Sequence, residues 1–93
     1  MNPNKVRRDK LDKLEELPNV GKVMARNLRQ IGISNPEQLH GRNAYEMYQM
    51  MCDKTRRGFD PCALDVLLSV EHFMKGGQAL PWWSFTEERK RRM

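Results

Sequence analysis

The stretch Leu17-Pro18-Asn19-Val20-Gly21-Lys22-Val23-Met24-Ala25-Arg26-Asn27-Leu28 decides how the chain reads, because it joins two helical patterns through a tight turn. Pro18 lacks a backbone donor and restricts Leu17, so a preceding helix stops there. Gly21 is expected to take a backbone conformation closed to other residues, and the helix after it opens with unpaired N–H groups. A helix start of this kind, with Lys22 in its first turn, suits a phosphate.

Working outward, Val20, Met24, Leu28 and Ile31 share one helical face, and Gly32 is a natural left-handed stop. Upstream, Leu11, Leu14 and Leu17 predict a helix over about residues 6 to 16. Downstream, Ser34-Asn35-Pro36-Glu37 reads as a capping box with Pro in the first turn, opening a short helix that carries Leu39 and stops at Gly41. Asn43 and Glu46 then cap a helix to about Arg57, with Ala44, Met47, Tyr48, Met51, Cys52 and Thr55 as its apolar stripe and Gly58 as its end. Asp60-Pro61 opens the most apolar helix, in which Ala63, Val66, Leu67, Val70, Phe73 and Met74 recur before Gly76-Gly77. No strand pattern occurs. Five helices joined by short turns predict one all-α domain over residues 1–93, a compact five-helix bundle.

Ninety-three residues suffice for one modest core. Lys and Arg number 17 against 12 Asp and Glu, a formal charge of +5 that favours an anionic partner. Much of it sits in a basic N-terminal arm over about residues 1–10 and in Arg89, Lys90, Arg91 and Arg92, closing a Trp-containing segment over residues 81–93; both ends are expected to be solvated arms. No apolar run approaches a membrane span and no signal-peptide pattern follows the basic start, so a soluble cytoplasmic protein is expected, with no membrane partner.

Cys52 and Cys62 are too few for a disulfide scaffold, and with His72 they match no metal-ligand spacing, so neither a metal nor another cofactor is expected. Asp60, Asp65 and Glu71 read as a cap and a solvated helix face. Without a nucleophile–base constellation, the chain is not expected to be an enzyme.

A hydrophobic-x-x-Gly turn followed four residues on by a small residue, here Ala25, resembles the helix-hairpin-helix motif, and that resemblance implies contact with the DNA backbone. Asn19 stands where the usual hairpin has a Gly, and Asn enters the left-handed region more readily than most residues. Taken with Ile31-Gly32-Ile33, the Tyr48 to Cys52 stretch, Asp60-Pro61-Cys62 and Pro81-Trp82-Trp83, the chain from about Lys10 to Arg91 resembles the pathogenicity-locus, or Cdd1-like, proteins. The resemblance implies a helix-hairpin-helix or SAM-like fold, with mitomycin resistance attached to some relatives as a label. The first half is also similar, at the level of the motif, to the C-terminal domain of competence regulators.

The expected phosphate site gathers Asn19, Val20, Gly21 and Lys22, with Arg26 and Arg29 further along the same helix. Arg42, in His40-Gly41-Arg42-Asn43, would join it if that segment were a degenerate second hairpin; a plain capped turn is the favoured reading. DNA glycosylases, which use the same motif, place a catalytic Lys two residues after the final Gly, where this chain has Val23, so their chemistry is not expected. Trp82 and Trp83 are candidates for partner binding; the segment is expected to fold back over the apolar helix with one Trp left partly exposed. The expectation is thus a non-catalytic, sequence-nonspecific DNA-binding domain, monomeric or weakly dimeric. Its rival is a SAM-like interaction module that docks on a DNA-processing protein or self-associates.

Overall fold

The computed structural model describes residues 13–55 and 61–92, and every regular element within them is helical. Helices α1 (Lys22–Gln30), α2 (Ala44–Thr55), α3 (Pro61–Met74) and α4 (Thr86–Arg92) alternate with 3-10 turns at Leu14–Glu16, Pro36–Leu39 and Trp82–Phe85. The all-α expectation holds, while the count of five helices becomes four plus 3-10 turns among the described residues. The short helix expected after Asn35 is a 3-10 turn, and α4 occupies a stretch expected to be a solvated arm. Most of the helix expected over residues 6 to 16, the basic arm at residues 1–10, the cap at Asp60, the stop at Gly58 and the side chains of Thr55 and Cys62 lie outside the described residues.

The core forms around α3, which is apolar on more than one side. Leu64, Leu67, Leu68, Val70 and Phe73 are buried there, against Ala44, Met47 and Met51 of α2, Ala25 and Leu28 of α1, and Leu14, Leu17 and Val20 from the entry to α1. Fully burying one such Leu contributes about 1.5–3 kcal/mol, which many side chains together must supply against chain entropy.

Local chemistry fixes the helix ends. At Gly32 the backbone takes φ +92°, the Gly32 N–H donates to Arg29 O at 3.1 Å and the Ile33 N–H to Leu28 O at 3.0 Å. This is a Schellman stop, and its apolar pair, Leu28 and Ile33, is buried. Gly76, with φ +100°, ends α3 by the same bonds: its N–H donates to Phe73 O at 3.1 Å and that of Gly77 to His72 O at 2.9 Å. The box around Pro36 starts one residue later than expected. Asn35 Oδ1 accepts from the Gln38 N–H at 3.1 Å, and Gln38 Oε1 accepts back from the Asn35 N–H at 3.3 Å. Asn43 caps α2 as expected, accepting from the Tyr45 and Glu46 N–H groups at 2.9 and 3.2 Å.

Two carboxylates of α3 were expected to be solvated and are not. Glu71 accepts the Ala44 N–H at 2.9 Å, so α3 caps the start of α2 from outside. Asp65 has no exposed surface; its Oδ2 accepts from Thr86 Oγ1 at 2.8 Å and its Oδ1 from Arg89 Nε at 2.7 Å. Thr86 and Arg89 stand three residues apart, on one face of α4, and Phe85 beside them is buried with its ring 5.6 Å from that of His72. The tail is therefore docked through a buried ion pair, and Arg89 is withdrawn from the surface charge.

Candidate nucleic-acid interface

The turn before α1 is built from a type II pattern. Pro18 supplies the second position, Asn19 the third with φ +63°, and the Val20 N–H donates back to Leu17 O at 3.3 Å. The left-handed residue is thus Asn19. Gly21, by contrast, has φ −95° and ψ −171°, an extended conformation open to any residue, and no atom lies within 4 Å of where its Cβ would stand. The expectation that Gly21 adopts a conformation closed to other residues is corrected: the fold does not require a glycine there.

Asn19 is committed to the interior. Its side-chain amide donates to Ser69 Oγ at 3.0 Å and to Leu80 O at 2.7 Å, and the Ser69 hydroxyl donates to Val66 O at 2.6 Å. With both amide protons spent, the Asn19 side chain positions the turn and has no donor left for a phosphate. Pro18 and Val20 are buried beside it, so Val20 can offer only backbone to the outside.

What reaches solvent is the start of α1. Gly21 is the N-cap and no side chain caps the helix; the first intrahelical bond runs from the Ala25 N–H to Gly21 O at 3.0 Å. The amides of Lys22, Val23 and Met24 have no intrahelical acceptor by the geometry of an α-helix, and its dipole is positive at this end. Lys22 and Arg26 are exposed one turn apart on one face, and neither forms an ion pair among the described residues.

The remaining candidates are placed differently. Arg29 reaches back to Glu15 at 3.1 Å, so its charge is answered locally. The Glu15 carboxyl is held below its usual range chiefly by a backbone hydrogen bond; desolvation opposes this, and the Arg29 charge and hydrogen bond add to the lowering. Arg42 belongs to a separate capped turn before α2, with its Nη2 at 3.5 Å from Met50 Sδ. The structure therefore gathers residues 19–26 at one place, ties Arg29 to Glu15 and puts Arg42 on another element.

Trp82 and Trp83 share the burial unequally, as expected. Trp82 is half-buried, Trp83 is 62% exposed, and the rings meet edge-on at 5.6 Å and 83°. Sequence reasoning missed Ser69 and Leu80 as the anchors of Asn19. The only available signal was a lone hydroxyl within the most apolar helix. Among the described residues, no three His, Cys, Asp or Glu side chains gather in a way that could hold a metal ion, and no helix is long and apolar enough to cross a membrane.

The family model described as Cdd1, pathogenicity locus, matches residues 7–91. A protein of Streptomyces lavendulae named mitomycin resistance protein McrB is 41% identical over 78 residues, covering 84% of this chain and 74% of its own length. No solved structure matches the chain.

Proposed function

The chain belongs to the Cdd1, or pathogenicity-locus, family, and from that premise we propose that it is a non-catalytic domain of helix-hairpin-helix, SAM-like type that binds DNA through the phosphate backbone without sequence preference. The observation that carries the reading is the uncapped start of α1 beside two exposed cations, Lys22 and Arg26, that form no ion pair among the described residues. Because Gly21 is not needed by the fold, its missing side chain is best understood as clearance for something outside. A phosphate oxygen entering there accepts from backbone N–H groups of residues 21–24, with the two side chains adding charge at longer range. Nothing in that arrangement reads a base edge, which is why the binding is nonspecific.

A site neutralising about two phosphates should lose affinity with salt at a log–log slope of about −2 on duplex DNA. Fluorescence anisotropy of labelled duplex across a salt series tests this, with Lys22→Glu, Arg26→Glu as the variant. Salt-sensitive binding that disappears in the variant is the expected result, and binding left unchanged refutes the reading. Gly21→Glu should act similarly by placing a carboxylate at the entrance. The name of the Streptomyces lavendulae relative suggests a role in mitomycin resistance, which survival of cells carrying the wild-type or doubly substituted chain would test.

A second reading, a SAM-like interaction module that self-associates or docks on a DNA-processing protein, is favoured by the exposure of Trp83. Concentration-dependent mass in light scattering, abolished by Trp83→Ala, would support it over DNA binding.

A further inference from the structure

We propose that the segment from Leu80 to Arg92 is a releasable strap: it lifts off α3 as one unit while α1, α2 and α3 stay packed, and its departure withdraws Leu80 O from the Asn19 amide. The inference does not depend on what the turn before α1 binds.

The face of α3 beneath the segment differs from the rest of that helix. Asp65, Ser69 and His72 follow one another at intervals of four and three residues, so they form one stripe along α3. Asp65 accepts from Thr86 Oγ1 at 2.8 Å and from Arg89 Nε at 2.7 Å, and the His72 ring lies 5.6 Å from that of Phe85. Ser69 Oγ and Leu80 O both accept from the Asn19 amide, at 3.0 and 2.7 Å. The buried polar or charged residues among those described are Asn27, Asp65 and Ser69, and two of these three stand on the stripe, within the most apolar helix. Leu64, Leu67 and Val70 lie on the opposite side of α3 by helical period and are buried. A face that is never uncovered is most readily stabilised by apolar packing, because a buried carboxylate gives up its hydration. A polar stripe is one that water can take over when its cover leaves.

The segment is correspondingly poor in apolar anchors. Phe85 is its one buried hydrophobic side chain among the described residues; Leu80 and Trp82 are half-buried, and Trp83 is exposed. Helix α4 has no apolar side chain and is held to α3 through Thr86 and Arg89. The chain leaves α3 at Gly76, with φ +100°, and Gly77, where the His72 ring occupies the place of a Cβ. Two residues without side chains at the joint let the backbone swing there.

Amide hydrogen exchange of the full chain, followed by NMR across a series of low urea concentrations, tests this for wild type, Thr86→Val and Met47→Ala. In wild type the protected amides of residues 84–92 should share one opening constant, about tenfold or more larger than that of the α3 amides. That constant should grow with urea, because the opening exposes surface. Thr86→Val removes a hydrogen bond to a charged carboxylate and should speed the segment amides about 10- to 150-fold, with those of α3 speeded by the same factor because only the docked state is weakened. Met47→Ala loosens α2 on α3 and should speed the α3 amides about 30-fold or more while changing those of the segment less than about twofold. If segment and α3 share one constant in wild type, or if Met47→Ala speeds both, the domain opens as a whole and the strap is overturned. Segment amides that exchange one by one, without dependence on urea, fray locally and overturn it equally. Circular dichroism checks that the variants fold, and the wild-type urea series decides alone if Met47→Ala does not.

Discussion

Arg89→Ala should be among the most damaging single substitutions in this chain, although it alters a residue in a tail rich in similar charges. Asp65 sits within α3 with no exposed surface and relies on Arg89 Nε at 2.7 Å and Thr86 Oγ1 at 2.8 Å. Removing Arg89 strands a carboxylate that cannot move to water without breaking α3, and stranding one partner of a buried pair costs about 3–5 kcal/mol. Asp65→Ala should cost less, because the freed guanidinium rides on a seven-residue surface helix and can swing into solvent, at the expense of part of the docking of α4. Against a total stability of about 5–15 kcal/mol for a domain of this size, Arg89→Ala should lower the melting temperature by roughly 12 °C or more. Urea unfolding followed by circular dichroism gives the free energies, and the Asp65→Ala, Arg89→Ala double variant closes the cycle. A strongly coupled pair makes the double variant much less unstable than the sum of the singles. A loss below about 1 kcal/mol for Arg89→Ala, the range of an exposed ion pair, would refute the argument.

Two glycines should behave oppositely on replacement by Ala: Gly32→Ala forces a Cβ into φ +92° and should cost about 1–2 kcal/mol in urea unfolding. Gly21→Ala meets open space at φ −95° and should leave stability within about 0.5 kcal/mol of wild type. Asn19→Gly keeps the left-handed turn but removes the bonds to Ser69 and Leu80, so unfolding should report a loss of about 1–3 kcal/mol from two hydrogen bonds. Because a backbone hydrogen bond and, after it, Arg29 hold the Glu15 carboxyl below its ordinary value of 4.5, the ionised carboxylate stabilises the fold above that value and this contribution is lost as pH falls through the lowered one; melting curves of wild type and Glu15→Gln should differ at neutral pH and converge in acid.

The helix ends were legible because they depend on local chemistry. Gly32, Gly76 and Asn43 act within a few residues of themselves, and each marks an observed boundary of a helix. The special backbone position in the turn was assigned to Gly21, whereas Pro18 followed by Asn19 suits a type II turn and places it at Asn19. Asp65 was misread because its partners lie 21 and 24 residues away, on a segment whose charges look like those of a solvated tail. Helix α4 was missed for the same reason, since apart from Phe85 it docks through Thr86 and Arg89 and shows no apolar stripe. In the candidate site, the contiguous residues were legible, but the commitment of Asn19 to Leu80 and of Arg29 to Glu15 depends on tertiary contacts that spacing does not encode.

The bond from Asn19 to Leu80 also bears on how the chain is made. The turn is synthesised before the carbonyl that fixes it, which follows 61 residues later, roughly 3–12 s at ordinary elongation rates. For that interval the start of α1 exists without its anchor, and its geometry waits on the arrival of the Trp-bearing segment. A peptide spanning only the turn and α1 should therefore be a poor substitute for the whole domain, and nascent chains halted before residue 80 should lack the settled turn although they contain every residue that builds its tip.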